Sequence, residues 1–303
     1  MMSAVIIGLA QGVLEWIPVS SEGAVWLIIN ELESVSFETG VKYALFVHLA
    51  TVPSSILVFR KQILYMVRNL IQNPSNLDSV TVFLAISFIV SGLFGLVIIK
   101  TVEIVSPLIG SLGMLVVGVF LLFTGFLSLF KSRYFQHLVS ESSQIYDLSL
   151  SEKSTLKVAY PAKIIPSISD EIKERRSVYK KVLIDSLILG GAQSLAVLPG
   201  LSRSGITISL LLYRGVGKNQ AVVMSFLMSI PASLAAALYS IFTNPDVSLS
   251  TFILIACLTA FIAGLVSIKI VLKFVPKLNL TFFIFASAIF VVCGALFDLL
   301  IIR

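Results

Sequence analysis

Glu15 and Arg203 are the residues of this 303-residue chain from which chemistry is most readily built, because each is a charge set in an otherwise apolar stretch. Within the first 30 residues only Glu15 and Glu22 are charged, and between Asp185 and Arg214 only Arg203 is. Gln11 lies four residues before Glu15, so on a helix the two share a face. An amide and a carboxylate stacked in this way are oxygen donors for a divalent cation, Mg²⁺ or Ca²⁺; equally, they satisfy buried polar groups between helices. Pro18 breaks the chain shortly afterwards, and Ser20 and Ser21 fall in the first turn of the helix expected to follow. A hydroxyl placed there is either an N-cap or a nucleophile beside a carboxylate. Arg203 sits in a second break, running from Leu198 through Pro199, Gly200, Leu201, Ser202, Arg203, Ser204 and Gly205 to Thr207. A planar guanidinium, the hydroxyls of Ser202, Ser204 and Thr207, and backbone opened at Gly200 together offer what a phosphate needs. The alternative for Arg203 is an ion pair with Glu15 that only locks two parts of the chain together. His48, the one interruption of an apolar run over residues 43–59, either relays a proton or makes an interhelical hydrogen bond.

The elements that must position these groups are membrane helices. Hydrophobic residues make up 57% of the chain and charged residues 13%, about half the charge of a soluble domain. Uncharged runs over residues 80–99, 104–130, 219–245, 247–268 and 278–297 each approach or exceed the roughly 20 residues that cross a hydrocarbon core as helix. The N-terminus carries no basic stretch of the secretory type and is read as mature protein. Cys257 and Cys293 lie in apolar runs and suggest no disulfide. The net charge of +6 does not point to nucleic acid, because ten of the 22 Lys and Arg lie between Lys131 and Lys181 and most of the others flank apolar runs.

A shift of 182 positions superposes Gly8, Ala10, Gln11, Ser20 and Gly23 on Gly190, Ala192, Gln193, Ser202 and Gly205, which suggests an internal repeat. Both repeat starts hold about 30 apolar residues with a polar break in the middle, too few for two crossings. Each is therefore expected to be a re-entrant helix pair, entering and leaving by one face. The fold expected is all-α and polytopic, with inverted-topology repeats. Residues 1–130 form the first, with a re-entrant pair at 1–32 and spans at about 41–60, 79–100 and 105–130. A polar extramembrane loop or small subdomain covers 131–181. Residues 182–303 form the second, with a pair at 183–214 and spans at about 218–243, 249–272 and 278–301. Basic residues of the short loops fall on one side if the N-terminus is outside, so the two pairs dip in from opposite faces and their tips meet near the midplane.

These motifs resemble those of the bacitracin-resistance type undecaprenyl-diphosphatase family, which carries Glu or Gln, three residues, Glu, then Pro-Val-Ser-Ser-x-Gly, and later Pro-Gly-x-Ser-Arg-Ser-x-x-Thr. Here these are Gln11 to Glu15, Pro18 to Gly23 and Pro199 to Thr207. The 225–231 stretch and residues 48–51 are also similar, and the resemblance covers most of the chain outside 131–181. It implies hydrolysis of a polyprenyl diphosphate to the monophosphate at an outward-facing site in the cell membrane, recycling the lipid carrier of envelope glycan synthesis. It further implies Glu15 and Gln11 as metal ligands, Ser21 as nucleophile with Ser20 beside it, and Arg203, Ser202, Ser204 and Thr207 on the diphosphate. Two departures stand out: Ala24 occupies a position where the family commonly has His, for which His48 is the candidate substitute, and Gln11 replaces the commoner Glu. The partners expected are the lipid diphosphate and the bilayer, with a homodimer left open. The rival class is a transporter or flippase for polyprenyl phosphate or another amphipathic anion, since broken helices in inverted repeats also build transporters.

Overall fold

The computed structural model of the chain describes residues 1–18, 21–33, 37–72, 77–109, 168–198, 201–243 and 250–274, with isolated positions elsewhere. Among these residues all regular structure is helical. Helix α1 spans Met2–Leu14 and α2 Ser21–Glu33. Helix α3 spans Phe37–Val58 and carries Pro53, and α4 spans Arg60–Gln72. Helix α5 spans Ser79–Ile109, α6 Ile168–Ser194 and α7 Arg203–Tyr213. Helix α8 spans Lys218–Thr243 and carries Pro231, and α9 spans Thr251–Phe274.

Local chemistry sets several of these boundaries. Pro18 cannot extend α1, and Ser202, in extended backbone, caps α7 by accepting from Gly205 N at 3.1 Å. Asp78 accepts from Thr81 N at 2.9 Å at the head of α5. Gly215 takes φ 88° in the turn between α7 and α8, a backbone shape that favours glycine.

Three helical stretches among the described residues are long and apolar enough to cross a membrane: Ser79–Thr101 of α5, α8 and α9. The bent pair α3 and α4 adds a fourth if counted as one span. Helix α9 shows the pattern of a membrane helix turned toward its neighbours on one side and lipid on the other. Leu254, Leu258, Ile262, Val266 and Ile270 are exposed at every fourth position, whereas Ala256, Ala260, Ala263 and Gly264 are buried. Small residues inward let helices approach without a hydrophobic driving force between them.

The halves of the chain interlock. Helix α1 packs along α9, α6 along α5, and α3 against α8. A Cβ on Gly8 would collide with Ala256 O, and one on Gly12 would lie 2.5 Å from Ala260 O, so α1 reaches α9 only because both positions are glycine. Gly190, at the position matching Gly8 under the 182-residue shift, plays the same part in α6, where a Cβ would lie 2.7 Å from Ser87 O of α5. The core between these pairs centres on Phe226, with Trp16 edge-on at 5.1 Å and Phe59 at 6.3 Å between ring centroids. Asp185 of α6, fully buried, pairs with Arg214 just past α7.

Several boundaries differ from the sequence expectation. Helix α5 runs without interruption to Ile109, past the turn expected between 100 and 105, where Lys100, Thr101 and Glu103 bring polarity but no helix-breaking residue. Helix α6 starts at Ile168, inside the expected polar loop, because a charged run without Gly or Pro can carry a helix beyond the apolar region. Residues 60–72, expected as loop, form α4. The expected spans at 105–130 and 278–301, and most of the loop from 131, lie outside the described residues.

Candidate active site

The breaks after α1 and before α7 touch. Ser204 Oγ donates to Ile17 O at 2.9 Å, giving a partner to a carbonyl left over at the end of the first helix. Helices α2 and α7 begin at Ser21 and Arg203, positions that the 182-residue shift superposes. Two helix N-termini therefore approach one point, each presenting its first-turn side chain.

That point is the Glu15 carboxylate, which is 3% exposed and gathers groups from five parts of the chain. Arg203 donates to Oε1, and Ser233 Oγ of α8 lies 3.3 Å from the same oxygen. On Oε2, Gln11 Nε2 donates at 2.9 Å, Ser21 Oγ donates at 2.9 Å, and His48 Nε2 of α3 stands 3.2 Å away. Trp16, the next residue, is buried against Phe226 and fixes the backbone from which Glu15 projects.

The imidazole of His48 is held at both ends. Nδ1 lies 2.7 Å from Ala44 O, and because a carbonyl only accepts, that nitrogen carries a hydrogen. Nε2 faces a carboxylate oxygen, so the contact is a hydrogen bond when a proton lies between Glu15 and His48. With Arg203 on the other oxygen, the carboxylate is fully compensated and the cluster as a whole can receive an anion.

The remaining residues singled out in the sequence sort by distance. Thr207 Oγ1 bonds back to Arg203 O at 2.8 Å and to Ser225 Oγ at 2.6 Å, so it joins α7 to α8 and does not contact Glu15. Ser202 Oγ caps α7 and lies 3.3 Å from Ser204 Oγ. Ser20 and Gly200 lie outside the described residues. Ser233 was not foreseen. It is one of three serines spaced four apart on α8, with Ser225 and Ser229, and spacing alone does not say which of them reaches a carboxylate on α1.

For a metal, the residues present are a partial set. Gln11 Oε1 is buried and has no hydrogen-bond partner among the described residues, as an oxygen kept for a cation would be. Yet no group of three or more His, Cys, Asp or Glu side chains suited to holding an ion occurs among those residues. Such a set fits Mg²⁺ or Ca²⁺ arriving with oxygens of its own, as a cation carried by a diphosphate does, and does not fit an all-protein cage.

Fold and site together define an all-α membrane protein with an ionised cluster closed over two facing helix breaks. Its sequence matches the family described as bacitracin resistance protein BacA over residues 4–293, and the chain belongs to that family. A relative from Methanococcoides burtonii is 32% identical, covering 92% of each chain. One from Parabacteroides distasonis is 32% identical over 94% of each, and one from Thermosipho africanus 28% identical over 93% of this chain and 94% of its own. All three bear the name undecaprenyl-diphosphatase.

Proposed function

We propose that this chain is an integral membrane phosphatase that hydrolyses a polyprenyl diphosphate of undecaprenyl type to the monophosphate and inorganic phosphate. The reading rests above all on one observation, the Ser21 hydroxyl donating to Glu15 while Arg203 holds the other carboxylate oxygen. A binding site alone needs the arginine; a hydroxyl aimed at a buried base adds an attacking group.

In the proposed reaction Ser21 Oγ attacks the terminal phosphorus and passes its proton to Glu15. The bond from that phosphorus to the bridging oxygen breaks, and the lipid monophosphate leaves with the electron pair, its oxygen protonated or stabilised by His48. Once the proton on Glu15 has passed through His48 to the departing phosphate oxygen, Glu15 deprotonates a water that attacks the phosphoserine; phosphate leaves and Ser21 Oγ takes the proton back. Arg203 and the backbone N–H groups at the heads of α2 and α7 stabilise the equatorial oxygens. Gln11 Oε1 and Glu15 are the groups that would hold Mg²⁺ or Ca²⁺, which when bound neutralises charge on the diphosphate. Direct attack by water, using the same residues, is the second route; mass spectrometric detection of phosphoserine at Ser21 decides between them.

The exchange of partners between halves supports the inverted-repeat reading, with α1–α2 and α6–α7 as re-entrant pairs. The basic short loops support a cell-membrane orientation that opens the site outward, suited to recycling the lipid carrier of envelope glycans. The test is phosphate release from a polyprenyl diphosphate by purified protein in detergent with Mg²⁺ or Ca²⁺. Turnover that disappears in Ser21→Ala and Glu15→Gln is expected; folded protein that binds the lipid and turns over none of it with either metal would instead indicate a transporter.

A further inference from the structure

Helix α4 belongs to no part of the site, and the connection between α8 and α9 is far shorter than the one that holds it. Twenty residues, 59–78, connect α3 to α5, whereas residues 244–250 suffice to connect α8 to α9. The chain turns by 78° between α3 and α4, so if α3 runs across the bilayer, α4 lies close to the bilayer plane.

Its three faces have distinct chemistry. Gln62 is buried, and Ile63 and Met66 pack on the core around Phe59 and Phe83. Next to them around the helix Leu64, Val67 and Ile71 are 48%, 45% and 73% exposed, and at 100° per residue they fall within an arc of roughly 60°, with Leu70, 52% exposed, about 60° beyond Val67. Lys61 and Arg68, both exposed, lie seven residues apart along one side of this arc, and Arg60 is exposed within it. The sequence from Arg60 to Leu77 carries three basic residues and no acidic one, so this segment is net positive. The apolar exposure also continues around the bend onto α3, where Ile56 and Leu57 are 41% and 45% exposed.

We propose that α4 is an interfacial helix docked on an anionic leaflet, with Leu64, Val67 and Ile71 sunk at the level of the upper acyl chains and Lys61 and Arg68 holding phospholipid headgroups. An exposed apolar strip with cations along one edge, continuous with a lipid-facing span, suits that occupant. A soluble protein partner has no comparable match, since the strip would have to leave the bilayer to meet one. This inference is independent of the phosphatase reading.

The experiment uses the full chain with Cys257→Ser, Cys293→Ser and Ile71→Cys, labelled with an environment-sensitive dye and reconstituted in phosphatidylcholine vesicles with or without phosphatidylglycerol. The dye is expected to emit as in an apolar medium and to be quenched by lipids spin-labelled near the headgroup. Spin-labelled phosphatidylglycerol should quench it in preference to phosphatidylcholine, and Lys61→Glu with Arg68→Glu should reduce that preference by about fivefold per charge removed. The double variant should keep its folding and its turnover in detergent. A water-exposed dye, equal quenching by both lipids, or disulfide cross-linking of the introduced thiol between two unlabelled copies, which would make the strip a protein interface, would each overturn the proposal.

Discussion

Glu15 is a single carboxylate with five neighbours, and the cluster is best tested by removing them one at a time. Arg203→Ala leaves a buried charge short of its main compensation, a loss of about 3–5 kcal/mol where such pairs are broken, so lost activity there would be confounded with lost fold. Arg203→Lys keeps the charge and removes the planar fork. Folded Arg203→Lys protein should therefore lose turnover by on the order of a hundredfold while its thermal midpoint stays near wild type. His48→Gln keeps a hydrogen-bond donor and removes the transferable proton. We expect kcat to fall by about 10² with KM little changed, and unchanged kcat would remove His48 from the mechanism. Gln11, Glu15, Ser21 and Arg203 were legible in the sequence because charge and hydroxyls at helix breaks are rare in an apolar chain. Ser233 was hidden because serine is common along α8, and the role of His48 stayed open because a lone imidazole in a span has no partner readable from spacing.

At the scale of elements, the site depends on how closely α1 approaches α9, one turn before Glu15. Gly12→Ala places a methyl within 2.5 Å of Ala260 O and 2.7 Å of Ala263 Cβ, contacts that backbone must move to relieve. The expected cost is about 1–3 kcal/mol, read as a lower melting temperature in detergent, with turnover falling further as Glu15 shifts. Gly191 in α6 has nothing within 4 Å of an added Cβ, so Gly191→Ala should leave melting unchanged or raise it. Equal destabilisation by both changes would show that helix propensity, and not the α1–α9 contact, is what glycine supplies. The apolar runs announced α8 and α9 well. Helix α4 was missed because its apolar positions are interleaved with Arg60, Lys61 and Arg68, so no window of it reads as a span.

At the scale of the whole molecule, the packing of each half's first helix on a late helix of the other makes the site a joint product of the two. Four of its groups, Gln11, Glu15, Ser21 and His48, come from before residue 60, and three, Arg203, Ser204 and Ser233, come from after residue 200. This explains why the weak 182-residue repeat carried so much information: the shift that superposes Gly8 on Gly190 inside the two helices also superposes Ser21 on Arg203, the helix starts that meet. The orientation makes a separate prediction. An impermeant thiol reagent added to intact cells should modify Ser250→Cys, at the head of α9, and leave Lys273→Cys at its other end unlabelled; the reverse pattern would place the site's opening on the inner face.

The most direct test of the central claim compares wild-type protein with Ser21→Ala in one preparation, measuring both binding of a polyprenyl diphosphate and release of phosphate. Binding within a few-fold of wild type together with turnover reduced by on the order of 10³ is the predicted result, since Arg203 and both helix N-termini remain while the attacking oxygen is gone. Turnover within tenfold of wild type would contradict it, and the hydroxyl beside Glu15 would then be a cap and not a nucleophile.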